Sequence, residues 1–333
     1  MRNKVISITV SLVIGLLLFF IVVSKTGIAN IVSTFKSFSV LWLLLYVIVS
    51  VSIVAVVVWR WRLILISQGY KINYFKLLIY RMAGYAVSYI TPSAHVGGEV
   101  ARAYLLKKEG IDFSKGISTI IIDKSLEITS DVFFASLGAI TIVLFYDLNI
   151  FIKALLIIIP LLLMCLITIF YYRILHQKGF FTWLFRLLKL HRIKKLIRFE
   201  RKLEEIELYV MLFFKHSKKT FRQAFIISCL LWILMLFEYK IAILVFRHNV
   251  SLFVVFLALA MVGIAYVVPI PAALGVLEVG EFSMFSLIGL KPSIGVALSF
   301  MVRARDLVWT FLGIVVLSYY GLNYFLKLNE KGK

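Results

Sequence analysis

The sequence predicts an all-α polytopic membrane protein of about six full spans and two broken, re-entrant helical hairpins, related as an inverted-topology repeat. Three observations predict it. Of the 333 residues, 62% are hydrophobic and 16% charged, with mean hydropathy +1.00. A soluble domain has roughly 45–50% apolar and about 25% charged residues, so a soluble enzyme is excluded. Apolar runs of bilayer length recur along the chain. Two further apolar regions, around 77–106 and 251–289, are interrupted by Pro and Gly at corresponding places. Residues 1–333 read as one integral membrane domain.

The first apolar run, 5–24, follows Arg2 and Lys4 and has no small-residue cleavage site after it, so it reads as a retained helix rather than a signal peptide. Further runs cover 40–58, 117–145, 150–172, 223–246 and 296–324. Lys and Arg number 37 against 16 Asp and Glu, a net charge of +21. Each cation at bilayer depth costs about 2.5–3.5 kcal/mol, so most belong at the cytoplasmic surface. Residues 173–222 carry 14 Lys and Arg against four Glu, a local +10, and fix that loop on the cytoplasmic side.

Counting from that loop, 150–172 enters, 117–145 leaves, and 40–58 enters, which puts the WRWR patch (Trp59 to Arg62) inside. The segment 63–106 then starts and ends on the cytoplasmic side, as a hairpin dipping into the membrane does. Both termini are expected to be cytoplasmic, in the cell membrane. Cys165 and Cys229 lie in apolar runs and imply no disulfide framework.

Shifting the chain by 179 residues aligns Met82, Gly84, Ala86, Pro92, Ala94, Glu99, Val100, Gly110, Ser114 and Gly116 with Met261, Gly263, Ala265, Pro271, Ala273, Glu278, Val279, Gly289, Ser293 and Gly295, ten identities in 35 ungapped positions. Lys124 falls on Arg303 and Glu127 on Asp306. Repeat one covers about 40–145 and repeat two about 223–324. Three crossings separate their starts, and an odd number reverses direction, so the second copy is expected upside down. Paired interrupted helices in inverted repeats are a pointer to a transport site.

The breaks read TPSAHVGGEVAR, Thr91 to Arg102, and PIPAALGVLEVGE, Pro269 to Glu281. Pro92, Pro269 and Pro271 remove backbone donors, while Gly97, Gly98 and Gly275 permit turns closed to other residues. Each helix resuming after its break would aim N–H groups at an anion, such as a lipid phosphate. Glu99 and Glu278 occupy the same place in both copies, either as functional groups or as first-turn caps. Asp123, Glu127 and Asp131 fall four apart on one helical face, with Lys124 three before Glu127. Together with Arg303, Arg305 and Asp306 they form either a polar translocation path or an ion-pair network holding helices together.

Arg81 and Arg102 flank the first break and would bind a headgroup phosphate or snorkel to the interface. Glu238 falls near the outer end of its span, where surface exposure accounts for it. His95 and Glu99 are four apart, but without a third ligand they predict no metal site. No cofactor is called for. Residues 180–199 interleave aromatic and Leu positions with Arg and Lys at near-helical spacing, as an interfacial helix on an anionic leaflet would. Membrane lipids are therefore the expected partners and nucleic acid is not; a second copy or a lipid-synthesis protein are the protein partners considered.

At its two breaks the chain resembles the flippase-like transmembrane family found as the membrane half of lysylphosphatidylglycerol synthetases and as stand-alone proteins. The matching residues are Pro92, Gly97, Gly98, Glu99 and Arg102, then Pro269, Pro271, Gly275 and Glu278, followed by Arg303 or Arg305. Asp123 and Lys124 stand where that family has an acid followed by Arg, and Ala272 and Ala273 stand where glycines are common. The resemblance implies movement of a modified phospholipid or lipid-linked headgroup between leaflets. It also implies no aminoacyl transfer, the chain ending at Lys333 without a soluble catalytic domain. The competing expectations are an intramembrane lipid-modifying transferase and a non-transporting partner of a lipid synthetase.

Overall fold

A computed structural model describes residues 2–36, 38–91, 97–147, 149–193, 197–268 and 270–331. Pro92, His95 and Pro269 lie outside the described residues. Among the described residues the fold is all-α: α1 Arg2–Thr26, α2 Ile28–Lys36, α3 Val40–Ser67, α4 Tyr74–Ile90, α5 Gly97–Lys107, α6 Phe113–Phe145, α7 Ile150–Leu175, α8 Phe181–Leu187, α9 Ile197–His216, α10 Lys218–Val245, α11 Leu252–Val267, α12 Val276–Leu287 and α13 Pro292–Lys331. The protein is a multi-pass membrane protein. Among the described residues, five helices are long and apolar enough to span a bilayer, over residues 9–26, 40–67, 113–145, 150–175 and 218–245. The sixth expected span, 296–324, falls within α13, which is 40 residues long and carries Arg303, Arg305 and Asp306 in its first half.

The helices begin where the chain supplies a cap. Asp112 accepts a hydrogen bond from Ser114 N at 2.9 Å to open α6, and Asn149 does the same for Phe151 N at 2.8 Å to open α7. The helices α4, α5, α11 and α12, with 17, 11, 16 and 12 residues, are each shorter than the roughly 20 needed to cross alone. They fall in two pairs, α4 with α5 and α11 with α12, over the regions where the sequence expects interrupted hairpins; residues 92–96, between α4 and α5, are outside the described residues. Their boundaries obey the repeat: starts at 40, 74, 97 and 113 plus 179 give 219, 253, 276 and 292, against observed starts at 218, 252, 276 and 292.

The chain divides into two compact units. Unit 1 holds residues 1–55, 75–101 and 233–333, and unit 2 holds 56–74 and 102–232. In unit 1, α12 packs against α13, α11 and α1. Close approach is bought with glycine: a Cβ on Gly295 would sit 2.6 Å from the Glu281 carbonyl oxygen, and one on Gly98 would collide with the Gly84 carbonyl of α4. In unit 2, α6 and α7 pack with α9, around Ile122, Leu126, Phe170, Phe180, Val210, Phe213 and Phe214.

Two expectations need correction. The WRWR patch is not a connection following a span that ends at 58, because α3 runs on to Ser67. Val58, Trp61, Ile64 and Leu65 are all fully buried, so the apolar helical spacing continues through the charges. Nor is 180–199 one helix. Lys189 adopts a left-handed φ of 56° and splits it into α8, a 3-10 turn at Leu190–Arg192 and the start of α9. The buried Glu207 of α9 fastens α8 to it, accepting from the Phe180 and Phe181 amides and from the Thr182 hydroxyl.

Candidate functional site

In unit 1 the second break is built around an arginine clamp. After α11 the chain makes a 3-10 turn, Pro271–Ala273, in which Ala272 and Ala273 have φ of 55° and 49°, and Gly275 follows at 77°. Two alanines in left-handed conformation are strained, at about 1–2 kcal/mol each. Arg303 of α13 holds them there. Its Nη1 donates to the Ala272 carbonyl at 3.0 Å and its Nη2 to the Ala273 carbonyl at 3.2 Å. The same guanidinium forms a two-pronged ion pair with the fully buried Glu278. Glu278 in turn accepts from Gly275 N at 2.9 Å. Of the two sequence readings of Glu278 the geometry shows the first-turn cap of α12, to which the ion pair with Arg303 is added.

A second group in unit 1 joins Arg305 to Glu238 at 2.7 Å and to Asp306 at 2.9 Å. Glu238 is 1% exposed, so the expectation of a surface position fails. About two helix turns inward from the α10 terminus, it meets Arg305, and burial follows from that pairing. From α4, Tyr85 and Tyr89 approach closely enough to interact electrostatically with Asp306 and Arg303 of α13. The helix before the first break, α4, and α13 therefore share a polar interior.

In unit 2 the three-acid face of α6 is satisfied by a residue that the sequence reading assigned to topology. Arg60, buried in α3, donates to Asp123 at 2.8 Å, to Ser228 Oγ at 2.9 Å and to Glu127 at 3.4 Å. Arg102 stands 3.7 Å from Asp123 and 5.0 Å over the Trp61 ring. It is 2% exposed, which rules out the snorkelling alternative. Lys124 pairs with Glu127, and the Trp232 indole donates to Asp131 at 3.1 Å. Of the predicted residues, Arg102, Asp123, Lys124 and Glu127 come together here, while Pro271, Gly275, Glu278 and Arg303 meet in the clamp. Gly97, Gly98 and Glu99 form the first turn of α5, with Glu99 half-buried.

Sequence reasoning missed Arg60, Glu238 and Glu281 as interior groups. The signal for Arg60 was the apolar periodicity around it, which continues past residue 58. It also missed a cavity of about 610 Å³ in unit 1, between the end of α1, α2 and the start of α13. Lys25, Lys291 and His248 line it together with the hydroxyls of Thr26, Thr34 and Ser293. Burial and the neighbouring Lys291 hold the His248 imidazole below its ordinary value, so at neutral pH the two lysines supply the positive charge.

Residues 6–313 match the family model described as the lysylphosphatidylglycerol synthase TM region. The chain belongs to this family. Relatives in this lysylphosphatidylglycerol synthase transmembrane family include a UPF0104 membrane protein of Methanothermobacter thermautotrophicus, 27% identical over 75% of this chain and 77% of that protein. Another, from Pyrococcus horikoshii, is 23% identical over 88% of this chain and 90% of its own length. A third, from Methanocaldococcus jannaschii, is 28% identical over 40% of each chain. The family match covers both breaks and the clamp.

Proposed function

We propose that this protein is a flippase-like transporter that moves a phospholipid or a lipid-linked headgroup between membrane leaflets, without making or breaking covalent bonds. The observation that carries the reading is the pair of broken helices at a 179-residue spacing, the second held in strained backbone by the Arg303–Glu278 clamp. Non-helical backbone at bilayer depth is tolerated where it is buried in protein or lines a wet cavity. Two such segments supply polar surface where a headgroup would otherwise meet hydrocarbon.

The charge pattern supports a cell-membrane topology with both termini cytoplasmic and the second repeat inverted. In that arrangement the cavity bearing Lys25 and Lys291 opens on the outer face, where its cations suit a phosphate arriving from or leaving the path. The exposed Leu187, Leu188 and Phe199 beside Arg186 and Lys189 suit contact of the cytoplasmic α8–α9 segment with an anionic leaflet.

A strain lacking the protein tests the reading. Leaflet-resolved lipid analysis is expected to show one phospholipid class held back in one leaflet while total lipid composition stays constant. Disappearance of a lipid species altogether would favour the transferase reading instead, and an unchanged leaflet distribution would contradict transport.

A further inference from the structure

Three buried positions of the first repeat hold a charge cluster whose counterparts in the second repeat have lost their partners. Arg60, Arg102 and Asp123 are 1%, 2% and 0% exposed, and both arginines face the one aspartate. Adding 179 to each number gives Tyr239, Glu281 and Val302, which are just as deeply buried. One arginine has become a phenol, the other a carboxylic acid, and the aspartate a valine. The second set retains an ionisable group at each helix position except α13, yet no opposite charge within it.

Glu281 shows the consequence. It is fully buried, and neither of its carboxyl oxygens has a hydrogen-bond partner; nor does the Tyr239 hydroxyl. The two arginines in the interior of α13 are committed elsewhere, Arg303 to Glu278 and two carbonyls, Arg305 to Glu238 and Asp306. Among the described side chains, the elements packed on α12 offer Glu281 no further hydrogen-bond partner. The α13 helix meets it through Gly295 and carries Lys291 at its start, α11 has Tyr266 as its titratable residue, and α1 has only Arg2, Lys4 and Lys25 at its ends. From α10 come Glu238, Tyr239 and Lys240. Lys240 is engaged with Asn249 Oδ1 at 2.6 Å and the Val250 carbonyl.

A lone carboxylate in such a place is strongly unfavourable, whereas a neutral carboxylic acid is tolerated. Ionisable groups of this kind inside membrane proteins mark proton relays. We propose that Glu281 is a proton-binding site, and that its loading and release couple lipid movement to the transmembrane proton gradient. Each cycle takes one proton from water at one face onto a carboxyl oxygen and returns it to water at the other, with no other bond changed. The coupling rests on the transport reading above; the proton site does not.

Two measurements on the full chain separate these claims. Infrared difference spectra of wild type against Glu281→Gln in lipid nanodiscs at neutral pH are expected to show the carbonyl band of a protonated carboxyl, shifting in D2O and absent from the variant. Glu281→Asp should move that band and serves if the glutamine variant does not fold. Loss of an ionised carboxylate band instead would overturn the proposal. In proteoliposomes of phosphatidylcholine with labelled phosphatidylglycerol, an imposed pH gradient is expected to accelerate lipid movement by wild type, and Glu281→Gln to lose that response. A variant as responsive as wild type overturns the coupling. No lipid movement by wild type, with the infrared band present, overturns the transport reading and the coupling but upholds the proton site.

Discussion

Arg303 does more than neutralise an acid. Its guanidinium has a planar fork of five donors, and here it spends them on one carboxylate and two successive carbonyls, a pattern Lys cannot reproduce with a point charge. The repeat equivalent, Lys124, pairs with Glu127 alone among the bonds described. Arg303→Lys should therefore release the Pro271–Ala273 turn while keeping the Glu278 charge partner, seen as faster amide exchange at residues 272–275. Arg60 is the corresponding test in unit 2. Removing one partner of a buried ion pair costs about 3–5 kcal/mol, so Arg60→Met should lower thermal stability by about that much in detergent, and a wild-type melting curve would refute its assigned place. At the cavity, His248 is held below its usual value, hence neutral at pH 7; as pH falls through that lowered value a third positive charge appears beside Lys25 and Lys291. Binding of inorganic sulfate, whose charge is fixed over this range, should then tighten on acidification, by roughly 1 kcal/mol for one added cation, and stay flat in His248→Gln.

At the scale of elements, the breaks are specified by backbone demands. Ala272 is strained at φ 55° and would be relieved by glycine, so Ala272→Gly should be neutral or stabilising by up to about 1 kcal/mol. The same change at Ala258, in the buried interior of α11, should cost about 1 kcal/mol. Gly98→Ala should be the more damaging of the glycine changes, since the added Cβ meets the backbone of α4, which has no side-chain end to swing away. Much of this level was readable in the sequence. The sequence placed interruptions at 91–102 and 269–281, and α5 and α12 each begin within one of those ranges, because Pro and Gly act locally. What could not be read were the inward turn of Arg60 and Glu238 and the division of 180–199. A run of apolar residues ending in charge looks the same whether the charge reaches the interface or a buried partner on another helix, and only the fold supplies that partner. The attachment of α8 to α9 depends on Glu207, which accepts from residues 180–182 and so ties together positions that are distant in sequence.

At the scale of the whole molecule, the charge imbalance and the repeat make one topological claim. With Cys165 and Cys229 replaced by alanine, a cysteine at Ser33 should react with a membrane-impermeant maleimide added outside intact cells, while one at Lys189 should react only after permeabilisation. Equal labelling of both would remove the sidedness on which the inversion rests. Family membership fixes the class of protein, and under the proposed function the paired breaks would give a headgroup its route. The most direct measurement is translocation of fluorescent phosphatidylglycerol in proteoliposomes, read by quenching of the outer leaflet. The wild-type chain should expose lipid from the inner leaflet well above protein-free vesicles, with Glu278→Gln slowed although still folded. A wild-type rate equal to that of protein-free vesicles, for this and other anionic lipids, would contradict the account.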